Sequence, residues 1–301
     1  MSGAVVEVPA VPPLSRSYRR GAALSVRAMA KRPTVSADDL PAETLVTSGV
    51  RPDADHLTAY QHCVGESAAD ELPAGFVHVL TFPLATALMV RPGYPLPVLG
   101  MVHLANRVTQ LRPVRLGEDV TIRVHAEDLR AHRKGAAVDI VATVETGGDE
   151  VWRGVSTYLA KGVRLAGSTA DDAPHPRFDP PPQTGVWRLD AAAGRRYADV
   201  SGDRNPIHTS RLAARAFGFP RPLVHGMYTA ARALADVGRV RGDAFIWHVE
   251  FARPVLLPTT VAVGIADDDG GHRYAGWSPR SGKPHLTGSV RPLEAGAGGE
   301  R

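Results

Sequence analysis

The two halves of this sequence repeat one another, and any fold has to accommodate that repeat. Tyr60-Gln-His-Cys-Val-Gly65 matches Tyr197-Ala-Asp-Val-Ser-Gly202 in spacing. "LPAGFVHVLTFPLATALM", Leu72 to Met89, aligns with "FPRPLVHGMYTAARALAD", Phe219 to Asp236. "VTQLRPVRLGEDV" then parallels "VEFARPVLLPTTV", setting Arg112-Pro113-Val114 opposite Arg253-Pro254-Val255. Three matching blocks in one order indicate a duplicated unit. Between its first two blocks the first copy is shorter by about ten residues.

Each copy has the same coarse grammar. In the second, "GVWRLD" reads as a short strand, and Asp190 can cap the helix "AAAGRRYADVSG". An irregular segment and a short helix, "SRLAARAFGF", follow. "HGMYTAARALADVGRV" reads as a longer, mostly apolar helix that would be largely buried. Four candidate strands come next, Ala244–Val255, Thr259–Asp267, His272–Pro279 and Lys283–Pro292, separated by Pro, Gly and Asp turn signals. In the first copy, "EDVTIRVHAEDL" and "AAVDIVATVET" have strand-like content. A buried helix followed by antiparallel strands, twice over, predicts an α+β protein with each helix wrapped by a curved sheet. The Pro- and Asp-rich stretch 166–183 reads as a linker, so the expected domains are 1–165 and 184–295. The first dozen residues and the tail "EAGAGGER" read as poorly ordered.

Composition narrows the function classes. The net charge is +4, with Arg supplying nearly all the basic residues and no Lys/Arg block interleaved with aromatics. That argues against nucleic acid as a partner and is compatible with a ligand bearing phosphates. No window approaches the ~20 apolar residues of a membrane span. The N-terminus lacks the order of a signal peptide, and Cys63 is the lone cysteine. A reducing, cytoplasmic location is expected. Cys63 reads as a small buried hydrophobe, since no activating motif surrounds it.

The densest chemistry lies in "SGDRNPIH", Ser201 to His208. Pro206 biases Asn205 away from the helical region, and Gly202 permits a sharp turn, so the segment reads as a stiff loop. Such a loop can aim Asp203 and His208 at one point, with Asn205 beside them. A carboxylate, an imidazole and an amide that converge can hold a water and move its protons. The same residues could instead be a capping aspartate and a histidine satisfied by backbone. Downstream, "PLVHGM" puts Gly226 at the expected start of the long helix, where backbone N–H groups are unpaired. That N–H could act as an oxyanion hole, or the glycine could simply permit close packing.

Tyr197, Ser201, Gly202, Asp203, Asn205, Pro206, Ile207 and His208, followed by "FPRPLVHGM", closely resemble the hydratase-2 motif of the MaoC-like dehydratase family. The family includes (R)-specific enoyl-CoA hydratases and 3-hydroxyacyl dehydratases. The resemblance covers the second copy, and the first looks like a degenerate, non-catalytic one. It implies a double hot dog, two long helices each wrapped by an antiparallel sheet. It also implies Asp203 and His208 as the catalytic pair, Asn205 as the supporting amide, and the Gly226 N–H as the thioester-carbonyl donor. The implied reaction is reversible hydration of trans-2-enoyl thioesters to (R)-3-hydroxyacyl thioesters, on CoA or an acyl-carrier protein. No metal or redox cofactor is called for, and the sequence shows neither a phosphate-binding glycine loop after a strand nor a metal-ligand cluster. A hot-dog thioesterase and a non-catalytic acyl-binding subunit are the rival readings.

The first copy has Glu66 and Glu71 opposite Asp203 and His208, Ala68 opposite Asn205, and Val79 opposite Gly226. Without the histidine and the glycine the constellation is gone, and "GFVHVLTFPLATALMV" is left either to line an acyl tunnel or to serve as core. Weaker candidates for substrate contact are Tyr197, Ser201, Gly202, Arg204, His225 and His248. His225 has the alternative of anchoring the helix start, and His248 that of an ordinary strand residue. Arg204, Arg211, Arg215 and Arg221 could meet phosphates or form a solvated face. Because a double hot dog contains its own pairing, a monomer or homodimer is expected.

Overall fold

The computed structural model describes residues 3–18, 21, 34–98, 100–167 and 177–293. In chain order the elements are β1 (Val5–Glu7), β2 (Thr34–Val35), β3 (Thr44–Val50), α1 (Ala54–Val64), α2 (Ala74–Met89), β4 (Val102–Gln110), β5 (Val120–His132), β6 (Gly135–Thr146), β7 (Asp149–Lys161) and β8 (Arg164–Leu165). After them come β9 (Gly185–Leu189), α3 (Ala193–Ser201), α4 (Pro206–Thr209), α5 (Arg211–Ala216), α6 (Gly226–Val237), β10 (Phe245–Phe251), β11 (Thr259–Asp268), β12 (Gly271–Trp277) and β13 (Pro284–Pro292). The molecule is an α+β double hot dog. Its compact units interleave along the chain. One comprises Met1–Arg51, His78–Asn106 and Asp119–Pro176; the other comprises Pro52–Val77, Arg107–Glu118 and Arg177–Arg301.

The first unit is built on the sheet order β1-β3-β5-β6-β7-β4. β5, β6 and β7 form long antiparallel ladders, with Val124 opposite Ala142 and Val141 opposite Val155. Ile122, Val124, Val138 and Ile140 are buried. Helix α2 runs through Pro83 and is mostly apolar, with Leu80, Phe82, Pro83 and Ala87 half-buried and the rest, His78, Thr81 and Thr86 included, buried. Leu84 and Leu88 of the proposed tunnel run are packed core. Contrary to the expectation of a frayed start, Val5–Glu7 pairs in parallel with Thr44–Val46, whose ladder supplies the backbone partners that a free terminus lacks.

The second unit carries the antiparallel order β10-β13-β12-β11-β9, and helix α6 packs on β12 and β13. The four strands expected after the long helix are all present, with ends within four residues of those expected. The Trp247 indole donates to the Tyr274 hydroxyl (2.6 Å), which donates to the His248 carbonyl (3.2 Å). Trp187 Nε1 donates to Asp236 (2.7 Å) and so ties β9 to α6.

Two local expectations are corrected. Asp190 does not cap α3 directly. The helix begins at Ala193, and Asp190 instead accepts from the Ala192 N–H (2.9 Å) and pairs with Arg196 (2.9 Å), a turn ahead of the helix. The end of "SGDRNPIH" is not irregular: Pro206–Thr209 is a single helical turn. Pro206 suits the first helical position, and the Asn205 side chain accepts from the Ile207 N–H. Much of the linker (168–176) and the tail from 294 lie outside the described residues.

Candidate active site

Local chemistry shapes the loop before its residues can act. Gly202 ends α3 in the left-handed region at φ 70°, where a side chain would be strained. The next peptide turns back, so that the Asp203 N–H donates to Ser201 Oγ (3.2 Å). Asp203 Oδ1 accepts from the Asn205 N–H (3.1 Å), and Asn205 Oδ1 accepts from the Ile207 N–H (3.4 Å). These chained side-chain-to-backbone bonds bring Asp203 and His208 to one locus. Ser201 Oγ and Asn205 Oδ1 are spent on the loop itself.

His208 is 9 % exposed, and its Nδ1 lies 2.8 Å from the Leu223 carbonyl oxygen. A carbonyl only accepts, so Nδ1 carries the hydrogen and the neutral ring keeps its lone pair on Nε2. Burial lowers the His208 pKa, against the opposing pull of Asp203 and of the bond to Leu223. His225 lies face to face with it, ring centroids 3.6 Å apart and 26° between planes. The His225 Nε2–H donates to the Asp203 main-chain carbonyl (2.8 Å), and Asp203 Oδ2 is 3.7 Å away. Burial and the neighbouring His208 push the His225 pKa down to about 3. Tyr197 backs His225 at a ring distance of 5.0 Å.

Gly226 is the first residue of α6, so its N–H has no acceptor within the helix. A Cβ here would sit 3.0 Å from the Phe251 ring, which gives the glycine a packing reason as well as a chemical one.

The fold thus gathers Asp203, Asn205, His208, His225 and Tyr197 into one contact network, with Gly226 next in the chain to His225. It places other candidates elsewhere. Arg204 is exposed and pairs with Asp199 (2.7 Å). Arg221 is exposed and donates to the Pro258 carbonyl (3.1 Å). His248 is half-buried on the face of β10 opposite Trp247. Two participants were missed in the sequence. One is the Leu223 carbonyl that sets the His208 tautomer. The other is Gly194, where a Cβ would lie 2.5 Å from the His208 carbonyl oxygen. Neither carries a side chain with chemistry, so no motif points to them. Ligand atoms of Asp203, His208 and His225 lie within 4.8 Å of one another, but the His225 Nε2–H is committed to the Asp203 carbonyl and so has no lone pair to offer a cation.

The corresponding positions of the first copy are occupied differently. Glu66 pairs with Arg241 (3.1 Å), both nearly buried, and Glu71 pairs with Arg115 (2.5 Å) and Arg239 (3.7 Å). Glu66, Glu71, Arg239 and Arg241 line a cavity of about 50 Å³.

A model of the MaoC like domain matches residues 176–273. Over 258 residues the chain is 38% identical to 3-hydroxyacyl-thioester dehydratase X of Mycobacterium tuberculosis, covering 85% of this chain and 91% of that protein. The chain belongs to the MaoC-like dehydratase family. The crystal structure of HtdX from M. tuberculosis superposes on this MaoC-like protein with a TM-score of 0.75 at 37% identity, covering 83% of this chain and 100% of that one. Another M. tuberculosis protein, described as having a double hotdog fold, matches with a TM-score of 0.54 at 16% identity over 85% and 97% of the two chains. It bears on fold alone.

Proposed function

We propose that this MaoC-like protein reversibly hydrates trans-2-enoyl thioesters to (R)-3-hydroxyacyl thioesters, with Asp203, His208 and Gly226 as the reacting groups. The observation that carries the assignment is the His208 tautomer. With Nδ1–H committed to Leu223, Nε2 is a lone pair beside the Asp203 carboxylate. In the hydration direction that nitrogen accepts a proton from water as the oxygen attacks C3. Asp203 orients the water and balances the imidazolium as it forms. The C2–C3 π bond breaks toward the thioester carbonyl, whose oxygen takes negative charge at the Gly226 N–H. The proton held by His208 then passes to C2. One C–O and one C–H bond form, and no electrons leave the system.

The family relationship, the named dehydratase relative and the intact motif support this reading. The first copy serves as a non-catalytic hot dog: its two acids are bound to arginines. The substrate carrier is CoA or an acyl-carrier protein, the protein works in the cytoplasm, and it is a monomer or homodimer. The test is absorbance of the enoyl-thioester band. Loss of the band with a hydroxyacyl thioester product supports hydration. Release of free thiol would make it a thioesterase, and no change would make it a binding protein.

A further inference from the structure

His225 touches both members of the catalytic pair and is itself sealed from the reaction. It is 4 % exposed, with His208 stacked on the ring and Tyr197 against it. Tyr228 in turn packs edge-on against Tyr197 at 5.6 Å. We propose that His225 is the positioning residue of this site, fixing the plane of the His208 imidazole by stacking and the place of Asp203 through its main-chain carbonyl. The proposal rests on the hydratase reading for its kinetics and on geometry for its substance.

Two degrees of freedom make such a residue necessary. A single hydrogen bond from Nδ1 to Leu223 fixes the direction of the His208 ring but leaves it free to tilt about that axis. A second ring stacked 3.6 Å away removes the tilt. Asp203 follows a left-handed glycine in a segment where the peptide plane could flip. Its N–H is held by Ser201 Oγ and its carbonyl by the His225 Nε2–H, so the peptides on both sides are pinned. The ring also stays uncharged while it works, because burial and His208 hold its pKa near 3. It therefore sets no second positive charge against the imidazolium that His208 becomes. The repeat offers a contrast. His78, opposite His225 by the alignment of Val79 with Gly226, stacks with His103 at 6.3 Å, and His103 stacks with Tyr158 at 4.5 Å. The contact with an imidazole of the motif exists only where the motif is intact.

The test uses the full chain and two substitutions that separate the roles. His225→Phe keeps a stacking ring and loses the donor. His225→Gln keeps an amide donor and loses the ring. With trans-2-butenoyl-CoA, each should lower kcat by roughly 10- to 100-fold with KM within about twofold, as expected for displaced catalytic groups. In a His208→Ala background His225→Gln, which keeps the donor to Asp203 and loses only the stacked ring, should cost less than about threefold, because the ring it would position is gone. A readout independent of turnover is the ¹H–¹⁵N spectrum of His208, which reports its titration. The ionisable groups against His208 are Asp203 and His225, and Tyr197 faces His225. His225→Gln should shift the His208 midpoint upward toward an exposed histidine, while His225→Phe should leave it low. Unchanged kcat in a folded variant overturns the proposal, as does a full multiplicative loss from His225→Gln in the His208→Ala background. If His225→Phe does not fold, His225→Gln alone delivers both readouts. If the wild type turns over no enoyl thioester, the hydratase reading fails, and the His208 spectrum still decides the positioning role.

Discussion

Replacing Glu66 by alanine removes one half of an ion pair that joins segments 175 residues apart. Glu66 and Arg241 are 9 % and 13 % exposed, with 3.1 Å between charged atoms. At an effective dielectric of about 20, their gross attraction is about 5 kcal/mol. Desolvation offsets much of that in the intact pair. Removing one partner, however, leaves a buried guanidinium uncompensated, at about 3–5 kcal/mol. The lower end applies, because Arg241 keeps its bonds to the Leu234 and Gly238 carbonyls at the end of α6. The expected loss is about 3 kcal/mol, or a Tm lower by roughly 6–12 °C. Glu66→Gln keeps an acceptor and should lose less, about 1–2 kcal/mol. Glu66→Met with Arg241→Met should recover most of the loss, since no charge is then stranded. An exposed pair such as Arg51–Asp119, at 76 % and 54 % exposure, is a control whose removal should leave the urea midpoint nearly unchanged. Urea unfolding measures stability, and turnover per folded molecule measures function. Turnover should stay within about twofold of wild type, because the pair braces the end of α6 remote from Gly226. An unchanged urea midpoint for Glu66→Ala would refute the reasoning about the buried pair. A hundredfold loss of turnover in Glu66→Gln at normal stability would refute the non-catalytic first copy.

Asp203→Asn and His208→Ala should each lower turnover by at least ~10²-fold, the scale of losing a general acid or base, with small changes in Tm. Near-normal activity in either removes the assigned role. Gly226→Ala keeps the N–H but drives a Cβ to 3.0 Å from the Phe251 ring. A shift of the α6 start by a few tenths of an ångström should cost about tenfold in kcat, and Phe251→Leu should restore it; a variant that Phe251→Leu fails to rescue places the damage elsewhere. Stability should fall as pH drops below 6.5. His208, His225 and His285 all have lowered folded-state pKa values, for His225 about 3. In that window the unfolded chain binds protons that the folded one does not, so each contributes a slope of up to about 1.4 kcal/mol per pH unit. For His225 the loss continues down to its folded value, and above about pH 7.5 all three are neutral in both states and contribute no slope. Urea midpoints at pH 7, 6 and 5 measure this, and a flat profile would mean that these rings are not buried neutral.

Much of the architecture was legible as pattern. The repeat announced two copies, and turn residues bracketed β10 to β13 to within a few positions because strand ends are set locally by Pro, Gly and Asp. The motif also held its chemistry locally. Gly202, Asp203, Asn205 and Pro206 shape their loop through bonds only two residues long, so the sequence by itself carried Asp203 toward His208. What no spacing could reveal depends on packing. The His208 proton is placed by the carbonyl of Leu223, a group every residue type possesses, and it matters only because the chain returns there. The stack of His225 on His208 and the capture of Glu66 by Arg241 likewise join residues distant in sequence. Glu66 and Asp203 are both acids at matched positions of a repeat. One is bound to a buried arginine and the other stands beside an imidazole lone pair, and that difference arises from the neighbours that folding supplies.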